Sequence, residues 1–310
     1  MSATVEKSLR LLNDSNLQEQ VKMEDYLAVA AGGRRVALLL SPADFPEGER
    51  IRQSIDEGFS RRYYVGSGRD GLGSLLDRVR YGVMRATMNP LKYKASLLRE
   101  SYEQAVFDHP NYRAHRRWAD DLGVQIYETQ LRPSLDEIYV VCDQSTIGEV
   151  GALMVRREKI RRQMLQDMRE GERRGGLFMP EERSSEYLEH LGRLLSYPDC
   201  CISAYIDDVH DRVDSGLRVS NQLADEESDV DGMAFFAAAF YPCCPRCEAA
   251  RATGNDILKA VGEIDERFRR RMSGVFQANM RYVARYPEVL KRRRQHMMSR
   301  YMGVSVDEQQ

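Results

Sequence analysis

Tyr197-Pro198-Asp199-Cys200-Cys201 and Tyr241-Pro242-Cys243-Cys244-Pro245-Arg246-Cys247 hold five of the six cysteines of the 310-residue chain. Both stretches open on Tyr-Pro, and both carry adjacent cysteines. Proline breaks the element before it, so each knot reads as a turn or a helix start. Glu182 to Leu195, with Tyr187, Leu188, Leu191, Leu194 and Leu195 on one face, runs into the first knot as a helix. Cys247 to Tyr286 leaves the second as one or two long helices. The sequence therefore predicts a mainly α-helical, cysteine-rich C-terminal domain.

Upstream the pattern changes. Val36-Ala37-Leu38-Leu39-Leu40, after Gly32-Gly33, is a short apolar run of the kind buried strands show. Tyr63-Tyr64-Val65, Val124 to Tyr127 and Ile138 to Val141 read as further strands. Between them lie Glu47–Phe59, Leu72–Met88 and Ala114–Leu122, all helix-like. In Leu72–Met88 the apolar face is Leu72, Leu75, Leu76, Val79 and Val83. Alternation of this kind predicts an α/β N-terminal layer domain with a mostly parallel sheet. Ile147 to Arg174 is helical and charged. Gly175-Gly176, followed by Pro180, is the best boundary. The expected domains are 1–175, α/β, and 176–310, helical with the paired cysteine knots.

Apolar residues make up 42% of the chain and charged residues 30%, which excludes a disordered chain. The net charge of -2 gives no overall pull toward nucleic acid or an anionic membrane. No apolar run approaches the ~20 residues of a membrane span, and Met1 to Asn16 lacks a signal-peptide core. The expectation is a cytoplasmic protein with no membrane partner. Thiols stay reduced in that compartment, which favours metal or redox roles over structural disulfides.

Cys244-Pro245-Arg246-Cys247 is a C-x-x-C, and Cys243 with Cys247 is an alternative pair. Sulfurs at such spacing converge on one ion across a tight turn, and a helix N-terminus lowers the pKa of a thiol beside it. Two knots supplying four sulfurs fit tetrahedral zinc or an iron–sulfur cluster, which thiolate ligation alone does not separate. A dithiol couple and plain core packing are the other readings.

Leu191-Gly-Arg-Leu-Leu-Ser-Tyr-Pro-Asp-Cys-Cys-Ile, followed by Phe240-Tyr-Pro-Cys-Cys-Pro-Arg-Cys-Glu, resembles the uncharacterised, mainly archaeal family catalogued as domain of unknown function 483. The resemblance covers about Leu191 to Ala250. It implies an α/β protein with a cysteine site at Cys200, Cys201, Cys243 and Cys247, with Cys244 the extra cysteine. Ser196 stands where the family has glycine before Tyr-Pro. Cys142, Cys200-Cys201 and Cys244-x-x-Cys247 are also similar in order to CCG domains, which hold non-cubane iron–sulfur clusters. Ile202 and the wide first gap depart from that pattern.

Other stretches carry weaker signals. Gly66-Ser67-Gly68-Arg69-Asp70-Gly71 satisfies G-x-G-x-x-G, but no acid occurs between Asp77 and Glu100, so a tight turn is preferred to a dinucleotide site. Asp207-Asp208-x-His210-Asp211 offers carboxylates and an imidazole, and reads mainly as a solvated helix face. His109, His115, His190 and His296 read as surface residues. Arg267, Arg269, Arg270, Arg271, Arg281 and Arg285, then Lys291-Arg292-Arg293-Arg294, interleave with Tyr282, Tyr286 and Tyr301. Basic and aromatic residues together make RNA a candidate partner. No nucleophile elbow, P-loop or His-Glu-x-x-His occurs. The favoured function is a cysteine-ligated metal protein, iron–sulfur or zinc, doing redox or sulfur chemistry on a small-molecule or protein substrate. The alternative is a zinc-stabilised RNA-binding module. The residues do not decide whether the chain is an enzyme.

Overall fold

The structure is a computed structural model. It describes residues 3–66, 75–167, 180–226, 229–238 and 240–292. The chain forms two compact units: residues 1–30 with 36–147, and residues 31–35 with 148–310. Gly175-Gly176 lies outside the described residues, as does most of the Gly66–Gly71 turn.

The first unit is mostly helical around one small sheet. Its longer helices are α1 (Ala3–Leu12), α2 (Gly48–Gly66), α3 (Leu75–Thr87), α4 (Pro90–Val106) and α5 (Pro110–Leu122). A π-helical turn, Val21–Leu27, is wholly buried. The strands are β1 (Val36–Ser41), β2 (Gln125–Arg132) and β3 (Leu135–Val141), in the order β1-β3-β2. Both pairings are antiparallel, with Leu38 and Tyr127 opposite Tyr139 from either side. The expected parallel sheet is thus corrected. β2 and β3 are joined by Pro133-Ser134 alone, and only antiparallel strands can be linked so briefly. Ile138, Tyr139, Val140 and Val141 in the central strand are all buried.

Tyr63-Tyr64-Val65 is not a strand but the last turns of α2. Phe59 and Tyr63, four residues apart, stack at 5.9 Å on one helix face, and Tyr63 meets Tyr93 of α4 at 6.3 Å. That packing outweighs the β preference of the aromatic pair. α3 covers the described part of the expected Leu72–Met88 helix, Leu72 lying outside the described residues, but turns its other side inward. Tyr81, Met84 and Met88 pack with Tyr93 and Leu97, while Leu75, Leu76, Val79 and Val83 are exposed. His115 is a further correction. It is 1% exposed, stacked on Phe45 at 4.9 Å, with Nδ1 3.0 Å from the Tyr26 hydroxyl. Burial pushes its pKa down to about 3, against a smaller opposing pull from Asp14. His109 caps α5, its Nδ1 accepting from the Asn111 amide.

In the second unit, α6 (Gln144–Asp167) supplies residues from Gly148 onward. Then come α7 (Ser185–Leu194), α8 (Asp199–Asp211), α9 (Ser215–Ala224), α10 (Glu248–Ile264) and α11 (Glu266–Ala284). Phe235, Phe236, Phe268, Met272 and Phe276 centre the core. The segment leading to the second knot lies tight on α10. A Cβ on Gly254 would sit 2.1 Å from the Met233 carbonyl, so only glycine permits that approach.

Candidate metal centre

The first knot is built by how α7 ends. Ser196 has φ 63°, its amide bonds the Arg193 carbonyl, and the Tyr197 amide bonds the Gly192 carbonyl. This is a Schellman ending with Ser196 in the left-handed position that glycine normally fills. The reversal lets Pro198 cap α8, so Cys200 and Cys201 fall in its first turn. The second knot likewise ends at a helix start. Cys247 is the N-cap of α10, and its sulfur accepts from the Ala250 amide at 3.5 Å. Two helix N-termini therefore meet at the sulfurs, and their dipoles favour negative charge there.

The Sγ atoms of Cys200, Cys201, Cys243 and Cys247 all lie within 4.8 Å of one another. Cys247 Sγ is 3.6 Å from both Cys200 Sγ and Cys201 Sγ, and those two are 3.9 Å apart. The Cys243 amide donates to Cys201 Sγ at 3.4 Å. Cys201 and Cys247 are buried, Cys243 is half-buried and Cys200 is exposed. Burial, with the neighbouring sulfurs, pushes the Cys201 thiol far up, and pushes Cys243 up to about 12. Burial also opposes ionisation of Cys247, but the Ala250 amide and the thiols of Cys243, Cys200 and Cys201 bring it below the usual value. Ionisation of Cys201 and Cys243 is thus disfavoured, and a cation beside them would offset that. The donor set is all sulfur and near tetrahedral spacing, so these residues fit a metal ion.

Cys244 is exposed and stands outside this group, and Cys142 belongs to the other unit. The acidic cluster after the first knot is divided. Asp208 is buried against Arg218, while His210 Nε2 lies 3.2 Å from the Ser185 hydroxyl. Among the described residues no other group of His, Cys, Asp and Glu is placed to hold an ion. The basic residues of α11 are engaged elsewhere. Arg267 pairs with Asp265, and Arg269 and Arg270 with Glu266. Tyr286 packs edge-on to Tyr241 and Tyr282 and lies over Gly216, where a Cβ would be 2.5 Å from its ring. Arg293, Arg294 and Tyr301 lie outside the described residues.

Residues 123–271, which include all four cysteines, match the family model described as Protein of unknown function (DUF483). The similarity spans a little under half of the chain. No curated protein and no solved structure matches the chain. No helix among the described residues is long and apolar enough to cross a membrane. Sequence reasoning misses Arg218 and Gln222, which touch the second knot through its backbone. No spacing in the sequence ties either residue to the cysteines.

Proposed function

We propose that Cys200, Cys201, Cys243 and Cys247 hold a single tetrahedral ion, zinc, as a structural clip between the starts of α8 and α10. The observation that carries this is the mutual approach of the four sulfurs within 4.8 Å. Zn–S bonds of ~2.3 Å at tetrahedral angles separate sulfurs by about 3.8 Å. The three pairs among Cys200, Cys201 and Cys247 stand at 3.6 to 3.9 Å. A four-iron cluster places each cysteine on a different iron, with sulfurs roughly 6 Å apart, so the spacing favours one ion over a cluster. Four protein ligands leave no open coordination position, the mark of a structural site. When bound, the ion supplies the positive charge that lets the buried thiols ionise. The reading fits a reducing compartment such as the cytoplasm.

Metal analysis of protein purified without oxygen tests this. One zinc per chain and no colour is the expected result. Absorption near 400 nm with iron and sulfide would replace the clip with an iron–sulfur cluster. Redox or sulfur chemistry is the second reading, and it rests on the exposure of Cys200, 3.6 Å from Cys247. The RNA reading draws less support, because the arginines at the start of α11 are ion-paired and Tyr286 is held by packing.

A further inference from the structure

We infer that Arg218, held by Asp208, is the positioning residue that locks the second cysteine knot onto the helix carrying the first. The inference rests on the metal reading of the site. Asp208 lies seven residues after Cys201 on α8, two turns along the same face. It is 6% exposed, and both its carboxylate oxygens accept from Arg218 Nε at 2.9 Å. Arg218, on α9, is directed by this contact toward the second knot. There its Nη1 donates to the Cys243 carbonyl at 2.8 Å and to the Pro242 carbonyl at 3.3 Å. Gln222, one turn further along α9, donates to the same Cys243 carbonyl at 3.4 Å.

The Cys243 backbone is consequently held from two directions. Its amide donates to Cys201 Sγ, and its carbonyl is gripped by Arg218. Carboxylate, guanidinium, carbonyl, amide and sulfur form one chain of contacts from Asp208 back to Cys201. A planar guanidinium can serve the carboxylate and the carbonyls at once, whereas an ammonium is a single point donor. Its charge also lies near a site whose four thiolates outweigh a divalent ion by two negative charges. Groups of this kind around a metal site orient the ligands, and their loss costs about 10–100-fold in metal affinity.

The test is cobalt(II) and zinc binding by wild type, Arg218→Lys, Arg218→Met and Asp208→Asn, read by chelator competition and by the cobalt ligand-field bands at saturation. If Arg218 positions the knot, Arg218→Lys keeps the charge, loses roughly 10–100-fold in affinity, and changes the shape of the bands. Asp208→Asn shifts both in the same direction. A residue that only supports the fold would lower metal-free stability and leave the spectrum of the loaded site as in wild type. That outcome, or wild-type affinity in Arg218→Lys, overturns the inference. If Arg218→Met does not fold, Arg218→Lys and Asp208→Asn carry the comparison. Wild-type protein that binds neither ion would overturn the metal reading itself, a result distinct from tight binding that the variants leave unchanged.

Discussion

Ser196 bears a backbone conformation that disfavours its own side chain. At φ 63° an L-residue carries roughly 1 kcal/mol of strain that glycine avoids. Ser196→Gly should therefore raise stability by about 0.5–1 kcal/mol, read from chemical denaturation, with the cysteine site unchanged. A loss of stability would mean that the serine hydroxyl does something the backbone argument omits. The serine before Tyr-Pro is visible in the sequence, but its left-handed geometry is not. The cysteines lend themselves to a second test. Cys243→Ser and Cys247→Ser should each lower metal content and melting temperature, and Cys244→Ser should change neither, because Cys244 is exposed and outside the group. If Cys244→Ser strips the metal while Cys243→Ser does not, the C-x-x-C pair is the ligating one. Thiol density singles out the five clustered cysteines, and only the family resemblance sets Cys244 apart from the other four. Arg218 is not legible in the sequence, since it meets the knot only through tertiary contact.

At the scale of elements, periodicity locates helices better than it orients them. α3 has apolar residues on two sides, and the larger aromatic and methionine side packs inward. Periodicity finds a helix of this kind but cannot say which side is buried when both are apolar. Val79 is 57% exposed, so Val79→Asp should alter stability by no more than about 0.5 kcal/mol. Leu97, fully buried against the inner side, should cost about 2–5 kcal/mol as Leu97→Ala. Equal costs measured by thermal unfolding would reverse this facing. The strand reading of Tyr63 to Val65 fails for a related reason. Three residues of strand propensity weigh little against a helix of nineteen residues, Gly48–Gly66, whose aromatic side chains stack along one face.

Over the whole molecule, acid should be felt through His115. Its folded pKa, about 3, lies below the ordinary value of 6.5, so the unfolded chain binds the proton more tightly. The contribution is fully present above about pH 6.5 and is lost as pH falls toward 3, at up to about 1.4 kcal/mol per pH unit. His115→Gln removes this titration, and unfolding free energy measured between pH 6.5 and 4 should then fall less steeply than in wild type. An unchanged slope would assign the acid sensitivity to other groups. The imidazole reads as a surface residue in the sequence because a His-Pro turn precedes it. Its neighbours Tyr26 and Phe45 are distant along the chain, and only the fold brings them together. The sheet is hidden in the same way: its strands can be found, but the direction of β1 against β3 depends on a connection that local pattern does not encode.

The spacing of the two knots also sets a timetable. Synthesis starts at the N-terminus, so Cys200 and Cys201 are made before Cys243 and Cys247 exist. At ~5–20 residues per second, the first pair waits roughly 2–10 s for its partners. For that interval the nascent chain presents two adjacent thiols with nothing to close over them. Any oxidant or stray metal reaching the ribosome meets this half-site first. The half-site therefore exists before the helix that follows Cys247 has been translated.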